Sequence, residues 1–222
     1  MSRPLAPSRL TPQLVLQAYP LGYFPMSEDR HAREVFWVRP DVRGVLPIRG
    51  LHVPRSLKKR VRQAPFDVRV DTAFTSVMEG CAAPQTDRWQ TWINDQILDT
   101  YAELHEMGFA HSVEAWMDGA LVGGLYGVSI GGAFFGESMF SVVTDASKVC
   151  LVHLAARLAV GGYVLHDTQF TTDHLRRFGA EDVPARDYAR RLKRAMAARG
   201  DFAAMPLQVS GSAILQSITQ TS

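Results

Sequence analysis

Three polar residues lie within segments that otherwise have the composition of buried β-strands: Glu137, Asp167 and Gln169. Asp167 and Gln169 are two positions apart in a short apolar segment, so strand alternation predicts that both side chains project from one face. A carboxylate beside an amide could hold and deprotonate an amine, because an aspartate is a competent general base when its surroundings tune its pKa. The alternative is a buried polar pair that satisfies backbone groups at the end of the sheet.

Glu137 follows Gly136 in a long strand-like run. Strict alternation places Glu137 on one face with Phe135 and Met139, and Phe134 on the other. Gly136 could mark a β-bulge that relaxes this pattern. Glu137 is a candidate for orienting a polar substrate group, or alternatively a carboxylate that caps a helix or pairs with an arginine.

The second half of the chain predicts an antiparallel meander, a helix and a further strand around one curved sheet. Asp118-Gly119 is a strong hairpin signal between two strand-like runs. Gly161-Gly162 stops the helix. The predicted strands cover about 110–116, 120–129, 133–140 and 164–169, and the helix covers 146–160.

Shorter elements are predicted in the first half. Thr11 and Pro12 begin a helix. Pro54 lies near the start of a basic helix, and Asp71 is expected to cap a helix that runs through about Met78. We expect a small N-terminal α+β module at residues 1–52, a larger domain at 53–203 and a disordered tail at 204–222.

Composition limits the class of protein. A chain of 222 residues that is 46% hydrophobic can bury a sizeable core. The net charge is only +2, so nucleic-acid binding would need a local basic patch. Two cysteines, Cys81 and Cys150, are too few for a disulfide framework or a cysteine metal cluster. The sequence shows neither the apolar core of a signal peptide nor the roughly 20 apolar residues of a membrane span, so we expect a soluble cytoplasmic protein without membrane contact.

Two groups of residues suggest contact with a nucleic acid. Trp37 and Trp92 lie among polar residues, where an indole could stack on a purine. Packing between the two modules is the alternative. The helix after Pro54 carries a basic cluster that could contact phosphates, although such helices are commonly solvated faces. Its members are Arg55, Lys58, Lys59, Arg60 and Arg62.

Motifs of several other enzyme classes are missing from the sequence. The run from Gly136 to Phe140 lacks the second glycine of a nucleophile elbow. No phosphate-binding loop or dinucleotide fingerprint occurs, and the histidines lack zinc-ligand spacing with cysteines. Hydrolase, nucleotidase and zinc-enzyme interpretations are therefore not favoured.

Separated motifs along the chain resemble the signature of the bacterial leucyl/phenylalanyl-tRNA–protein transferases. The resemblance runs from about Leu10 to about Ala198, and the shared order of many motifs makes it specific. The motifs are Tyr23-Phe24-Pro25-Met26, Phe36-Trp37, Thr91-Trp92-Ile93, His111-Ser112-Val113-Glu114, Gly123-Gly-Leu-Tyr-Gly127, Gly136-Glu-Ser-Met-Phe-Ser141, Asp145-Ala-Ser-Lys148, Asp167-Thr-Gln169 and Pro184-Ala-Arg-Asp-Tyr188.

The resemblance implies an α/β (α+β) protein whose C-terminal domain has a Gcn5-type acyltransferase-like fold. It implies transfer of Leu, Phe or Met from aminoacyl-tRNA to the N-terminal Arg or Lys of acceptor proteins, which then enter the N-degron degradation pathway. The family needs no metal or diffusible cofactor, and we expect a monomer.

The resemblance also implies roles for individual residues. Asp167 would be the catalytic carboxylate, with Gln169 as its relay or orienting partner and Glu137 as a substrate-positioning residue. Trp37 and Trp92 would receive the terminal adenosine, and the basic helix would meet the acceptor stem. The pocket for the aminoacyl side chain would be lined by Leu125, Phe134, Leu151, Leu154 and His166.

Two other functions stand as alternatives. An acyl-coenzyme-A-dependent acetyltransferase would cradle pyrophosphate with glycines before a helix, but the segment from Val143 to Lys148 has no glycine and carries Asp145, which repels phosphate. A tRNA-binding module without catalysis would keep the basic helix and the tryptophans. Such a module would not need the three polar residues together.

Overall fold

The computed structural model describes residues 9–84 and 91–219. The strands are β1 (Phe24–Met26), β2 (Phe36–Val38), β3 (Val42–Leu46), β4 (Asp67–Val70), β5 (Ala110–Met117), β6 (Ala120–Ile130), β7 (Ala133–Ser141), β8 (Leu165–Gln169) and β9 (Glu181–Pro184). The helices are α1 (Pro12–Ala18), α2 (Arg55–Gln63), α3 (Phe74–Ala82), α4 (Asp95–Glu106), α5 (Ala146–Val160), α6 (Asp173–Arg176), α7 (Ala185–Ala197) and α8 (Gly211–Thr219).

A seven-stranded sheet in the spatial order β4-β5-β6-β7-β8-β3-β9 organises the fold. The strands β5 to β7 form the predicted antiparallel meander, and β4 extends it by pairing with β5. Asp118 and Gly119 both have a left-handed backbone, with φ of 50° and 79°, as a two-residue type I′ hairpin requires. After α5, β8 runs parallel to β7. The mixed α/β fold expected from the sequence is thus confirmed.

Helix α5 is buried on nearly all sides. It packs between the strands β5 to β7 and the helices α2 and α8. A helix in this position must be apolar all round rather than on one stripe, which explains its Ala-, Val- and Leu-rich sequence. Leu151 and Leu154 of this helix lie in the buried core.

The start of α3 differs from the prediction. Asp71 does not cap this helix, because its carboxylate binds the backbone N–H of Ser112 at 2.8 Å. The buried carboxylate of Glu114, on the neighbouring strand β5, accepts the N–H groups of Thr72 and Ala73 at 2.9 and 2.8 Å instead. A cap supplied from another strand leaves no local sequence signal, so the N-cap assignment failed.

The predicted domain limits can be placed on the sheet and its helices. The strand β3 lies between β8 and β9 in the main sheet, so a module boundary near residue 52 would cut this sheet. The first eight residues of the predicted module lie outside the described part of the chain. The predicted disordered tail contains α8, whose Ile214, Leu215 and Ile218 are buried against α2 and α5. Its last three residues, 220–222, lie outside the described part.

No helix within the described residues is both long and apolar enough to cross a lipid bilayer.

Because α8 completes the core, we expect the shortening of one of its buried side chains to destabilise the whole protein. Ile214 is 1% exposed, so Ile214→Ala should lower the free energy of unfolding by about 2–4 kcal/mol through lost burial and a cavity. Urea unfolding of the purified protein measures this. Gln216→Ala, an exposed position on the same helix, should change the free energy by less than about 0.5 kcal/mol. Equal values for the two variants would mean that α8 does not dock on the core.

Candidate active site

A cavity of about 350 Å³ opens where β7 and β8 separate. The parallel pairing of these strands ends with Phe135 opposite Asp167. Two residues further along each strand, Glu137 and Gln169 both reach the cavity wall. Hydrogen-bonded strands leave no room between them, so the cavity forms where the two strands separate at their carboxyl ends. Open α/β sheets commonly bind ligands at such a place.

Most of the cavity wall is apolar. Of the five residues predicted for the aminoacyl pocket, Leu125, Leu151, Leu154 and His166 line the cavity. Phe134 does not contribute to the wall: its ring is fully buried and stacks on Phe202 at a centroid distance of 5.6 Å. Further apolar side chains on the wall are Phe24, Met26, Met139 and Leu175.

The position of Glu137 results from a β-bulge. Tyr126 pairs with Ser138 and the next residue, Gly127, pairs with Gly136, so Glu137 is the extra residue of β7. The bulge expected near Gly136 is therefore confirmed. Because of the extra residue, Phe135 and Met139 lie on opposite faces of the sheet and not on the same face as strict alternation predicts. Phe135 packs edge-on against Tyr19 in one part of the core, and Met139 packs against the other part.

One tyrosine and one amide donate hydrogen bonds to the Glu137 carboxyl group, and a second tyrosine supports the first. Its Oε1 accepts the hydroxyl of Tyr19 at 2.7 Å and Nε2 of Gln169 at 3.3 Å. The Tyr19 hydroxyl lies 2.5 Å from that of Tyr101. Because Tyr19 donates its one proton to Glu137, Tyr101 must donate to Tyr19. Within the described residues, Oε2 of Glu137 has no hydrogen-bond partner, which leaves this oxygen for a molecule in the cavity.

Burial controls the protonation of this group. Removal from water raises the pKa of Glu137 to about 8, against the hydrogen bond from Tyr19, which lowers it. The negative charge of Asp167 adds to the rise, and the positive charge of Arg43 opposes it. Burial likewise raises the pKa of Tyr19 and Tyr101, so both hydroxyls stay protonated and act as donors. Glu137 can therefore exchange a proton close to neutral pH.

Asp167 lies behind the cavity wall. Its side chain is 0% exposed and is held by Arg43, whose Nε is 2.9 Å from both carboxylate oxygens and whose Nη2 is 2.8 Å from Oδ2. The hydroxyl of Tyr188 also donates to Oδ2. Burial is the largest single influence on the pKa of Arg43 and lowers it. The charge and hydrogen bonds of Asp167, together with the nearby tyrosines Tyr188 and Tyr19, outweigh burial and leave this pKa raised, so the guanidinium group stays charged. The geometry gives an incoming amine no access to the Asp167 carboxylate.

Gln169 departs from the strand geometry assumed above. Its φ is 55°, a left-handed conformation that non-glycine residues rarely adopt. Its backbone N–H donates to Oδ1 of Asp167 at 2.7 Å, which helps to hold this conformation. The change of direction sends the Gln169 side chain to the cavity while Asp167 stays behind the wall. The prediction that the two side chains share a face is therefore wrong.

The predicted nucleic-acid residues lie in three places. Trp92 lines the cavity. Trp37 is 38% exposed on β2, opposite Pro25 of β1, and does not contribute to the cavity wall. The basic residues of α2 are also absent from the cavity wall. This helix buries Leu57 and Val61 and presents the exposed side chains of Arg55, Lys59 and Arg62, with no ion pair to any of them within the described residues.

Sequence reasoning missed the residues that support the three predicted polar side chains. Arg43 and Tyr188 hold Asp167, and Tyr19 and Tyr101 hold Glu137. Tyr19 begins the 3₁₀ turn (Tyr19–Leu21) that follows α1, and Tyr101 lies in α4. Both are buried, where a tyrosine hydroxyl needs a polar partner, and that signal could have revealed them. Arg43 left no such signal, because its partner is 124 residues away in the sequence.

The fold and the site together define an α/β enzyme whose apolar pocket ends at a proton-exchanging carboxyl group. Comparison with known families gives the class a name. The family model described as leucyl/phenylalanyl-tRNA protein transferase matches residues 45–193, and the model for the N-terminal domain of this transferase matches residues 8–41.

Two curated relatives that match nearly all of the chain or the whole of it carry the same family name. A leucyl/phenylalanyl-tRNA–protein transferase of Nitrobacter winogradskyi is 54% identical over 224 residues, with 100% of each chain covered. Another, from Phenylobacterium zucineum strain HLK1, is 54% identical over 213 residues, which are 94% of this chain and 96% of the relative. The chain belongs to the leucyl/phenylalanyl-tRNA–protein transferase family, a family of aminoacyltransferases.

The raised pKa of Glu137 predicts a pH dependence of stability. In the unfolded chain this carboxyl group ionises near its ordinary value of 4.5, whereas in the folded protein it keeps its proton up to about pH 8. Between these values the folded state binds the extra proton, so rising pH favours unfolding. Replacement by glutamine removes this dependence and keeps an amide that can bind Tyr19.

Urea unfolding of the wild type and Glu137→Gln tests this prediction. From about pH 5.5 to about pH 8.5, the wild type should lose at least about 1 kcal/mol of stability relative to the variant. The exposed Glu106→Gln serves as the matched control and should follow the wild type. Parallel curves for the wild type and Glu137→Gln would show that Glu137 titrates normally.

Proposed function

We propose that this protein transfers Leu, Phe or Met from aminoacyl-tRNA to the N-terminal Arg or Lys of acceptor proteins, marking them for N-degron degradation. The proposal is supported by membership of the transferase family. The structural observation that carries it is a cavity with an apolar wall and a proton-exchanging carboxyl group at its polar end. We expect a cytoplasmic monomer that needs no cofactor.

The apolar wall would hold the aminoacyl side chain. Leu125, Leu151 and Leu154 present aliphatic groups to one space of about 350 Å³. Such a volume accommodates an amino-acid side chain with room for its ester carbonyl group, and burying the side chain supplies binding free energy. With the side chain on this wall, the ester carbon would face the polar end formed by Glu137 and Gln169.

Glu137 is the group we assign to proton transfer. The acceptor arrives as an α-ammonium group, whose ordinary pKa of about 7.7–8.0 lies close to that of Glu137. The ionised carboxylate takes one proton, and the neutral amine then bonds to the ester carbon. As the amide forms, the amine loses a second proton to the ribose oxygen that leaves. Glu137 finally returns its proton to solvent.

Asp167 then acts as a positioning residue. Its carboxylate is held by Arg43 and Tyr188. The same carboxylate accepts the backbone N–H of Gln169 and so fixes the position of that residue. Gln169 in turn donates to Glu137. Asp167, Gln169 and Glu137 therefore form a chain of contacts that positions Glu137. In this proposal Asp167 does not itself remove a proton from the amine.

The tRNA would approach the cavity with its terminal adenosine against Trp92. This indole shares the cavity wall with Gln169 and Phe24, close to where the ester must lie. Trp37, half-exposed on β2, offers a second surface for stacking. The exposed side chains of α2 supply positive charge for phosphates of the acceptor stem.

The two alternative functions fit the site less well. A coenzyme A pyrophosphate would need free N–H groups at the start of α5, but the N–H of Ser147 is bound by Ser141 Oγ at 2.9 Å. A Cβ at Gly123 would lie 2.5 Å from Ala146, so the strand also closes tightly on this end of the helix. A module that only binds tRNA gives no reason for a buried, protonatable Glu137 in the cavity.

A transfer assay tests the function directly. Labelled leucyl-tRNA is incubated with a peptide that begins with Arg, and label should appear in the peptide. Glu137→Gln should lower kcat by about 100-fold or more, because the proton acceptor is lost. Its affinity for the tRNA should remain unchanged, and the exposed Glu106→Gln should react at the wild-type rate.

No transfer by the wild type would refute the function itself. A wild-type rate in Glu137→Gln would instead remove only the assigned base. Asp167→Ala is a poor test of chemistry, because the variant leaves Arg43 buried without its partner and destabilises the fold.

The basic helix can be tested through the salt dependence of tRNA binding. Reversing two charges of α2 in Lys58→Glu/Lys59→Glu should reduce the slope of log K against log salt concentration by about 1–2, because fewer counterions are released. The matched control is Lys193→Glu/Arg194→Glu on the exposed face of α7. An equal change in both double variants would show a general effect of net charge instead of a docking site on α2.

A further inference from the structure

His166 is an unusual member of the cavity wall. Its side chain is 1% exposed and lies among aliphatic residues such as Leu125 and Leu154. Its Nδ1 is buried without a hydrogen-bond partner in the described part of the chain. Burial lowers the pKa of His166 to about 4, so the imidazole is neutral at physiological pH.

The ring is placed on the wall by close packing. It lies edge-on to Phe134, with the ring centroids 5.8 Å apart. Gly136 makes room for it, since a Cβ there would lie 3.3 Å from Nε2. The pairing of β8 with both β7 and β3 fixes the backbone of His166. The imidazole therefore cannot easily turn to another partner inside the protein.

A neutral imidazole carries its one N–H on either Nδ1 or Nε2. Because Nδ1 is already buried in the free protein, the donor that a substrate can meet is an N–H on Nε2, beside Gly136 of the cavity wall. An aliphatic substrate side chain that fills the cavity would cover this donor without accepting its hydrogen bond, which weakens binding by a factor on the order of ten. A thioether sulfur is a weak acceptor and a soft contact for an aromatic ring. A phenyl ring offers its π-face to an N–H group and packs favourably against another ring.

We infer that His166 makes this chain selective for polarisable aminoacyl side chains, so that Phe and Met are transferred in preference to Leu. The inference rests on the proposed function, because it takes the cavity as the aminoacyl pocket. It concerns the order of substrates at that pocket, which the family name leaves open. His166 acts by contact with the substrate side chain and takes no part in proton transfer.

The test compares kcat/KM for three amino acids on one tRNA sequence, charged with Leu, Phe or Met by an aminoacylating ribozyme, with an Arg-peptide as acceptor. In the wild type, leucine should be the poorest of the three. In His166→Leu, the ratios of Phe to Leu and of Met to Leu should each fall about tenfold. His166→Gln, which retains an N–H donor, should keep most of the preference for Met.

His153→Leu is the matched control, because His153 lies on the same helix as Leu151 and Leu154 but lines a separate cleft. It makes the same replacement of a neutral imidazole and should leave the ratios at wild-type values. Leucine as the best wild-type substrate would overturn the inference, as would unchanged ratios in His166→Leu. If the wild type transfers none of the three amino acids, the proposed function itself fails, so the two failures are distinct.

Discussion

The buried ion pair between Arg43 and Asp167 is the constraint on which the cavity depends. It joins β3 to β8, and the guanidinium group also donates to the carbonyl oxygen of Gly22 at 3.1 Å. The rings of Phe24 and Tyr188 lie over the guanidinium at 4.6 and 4.9 Å. The N-terminal segment, two sheet strands and α7 thus meet at one point behind the wall. Because removing either partner would leave a buried charge, at a cost of about 3–5 kcal/mol, this junction is hard to alter.

The cavity follows from how the sheet ends around this junction. The strand β8 stays paired with β7 only as far as Asp167, and the bulge at Glu137 then takes β7 out of register with β6. Each strand delivers one polar side chain to the gap, and α5 covers the gap with leucines. The apolar wall and the polar end therefore have different origins, since packing of a buried helix forms the first and irregular strand geometry forms the second.

This difference explains what could be predicted from the sequence. The hairpin at Asp118-Gly119 and the limits of α5 follow from local signals, namely left-handed turn residues and a glycine stop. The faces of Asp167 and Gln169 could not be predicted by alternation, because the left-handed backbone of Gln169 breaks it. The partner Arg43 is distant in the sequence, and α8 is stable through docking more than through its own short sequence. The local sequence pattern therefore located the polar residues in the strands, while long-range contacts decided the hydrogen-bond partners of each one.

The two carboxyl groups illustrate how neighbouring acids acquire different roles. Asp167 meets a buried cation, whereas Glu137 meets hydroxyl and amide donors in a desolvated site, so one is held as an ion and the other can accept and release a proton. The groups are coupled, because the charge of Asp167 raises the pKa of Glu137 and that of Arg43 lowers it. Any change at the ion pair must therefore alter proton exchange in the cavity as well as stability. The buried pair fixes the electrostatics of the site through the same contacts that fix its shape.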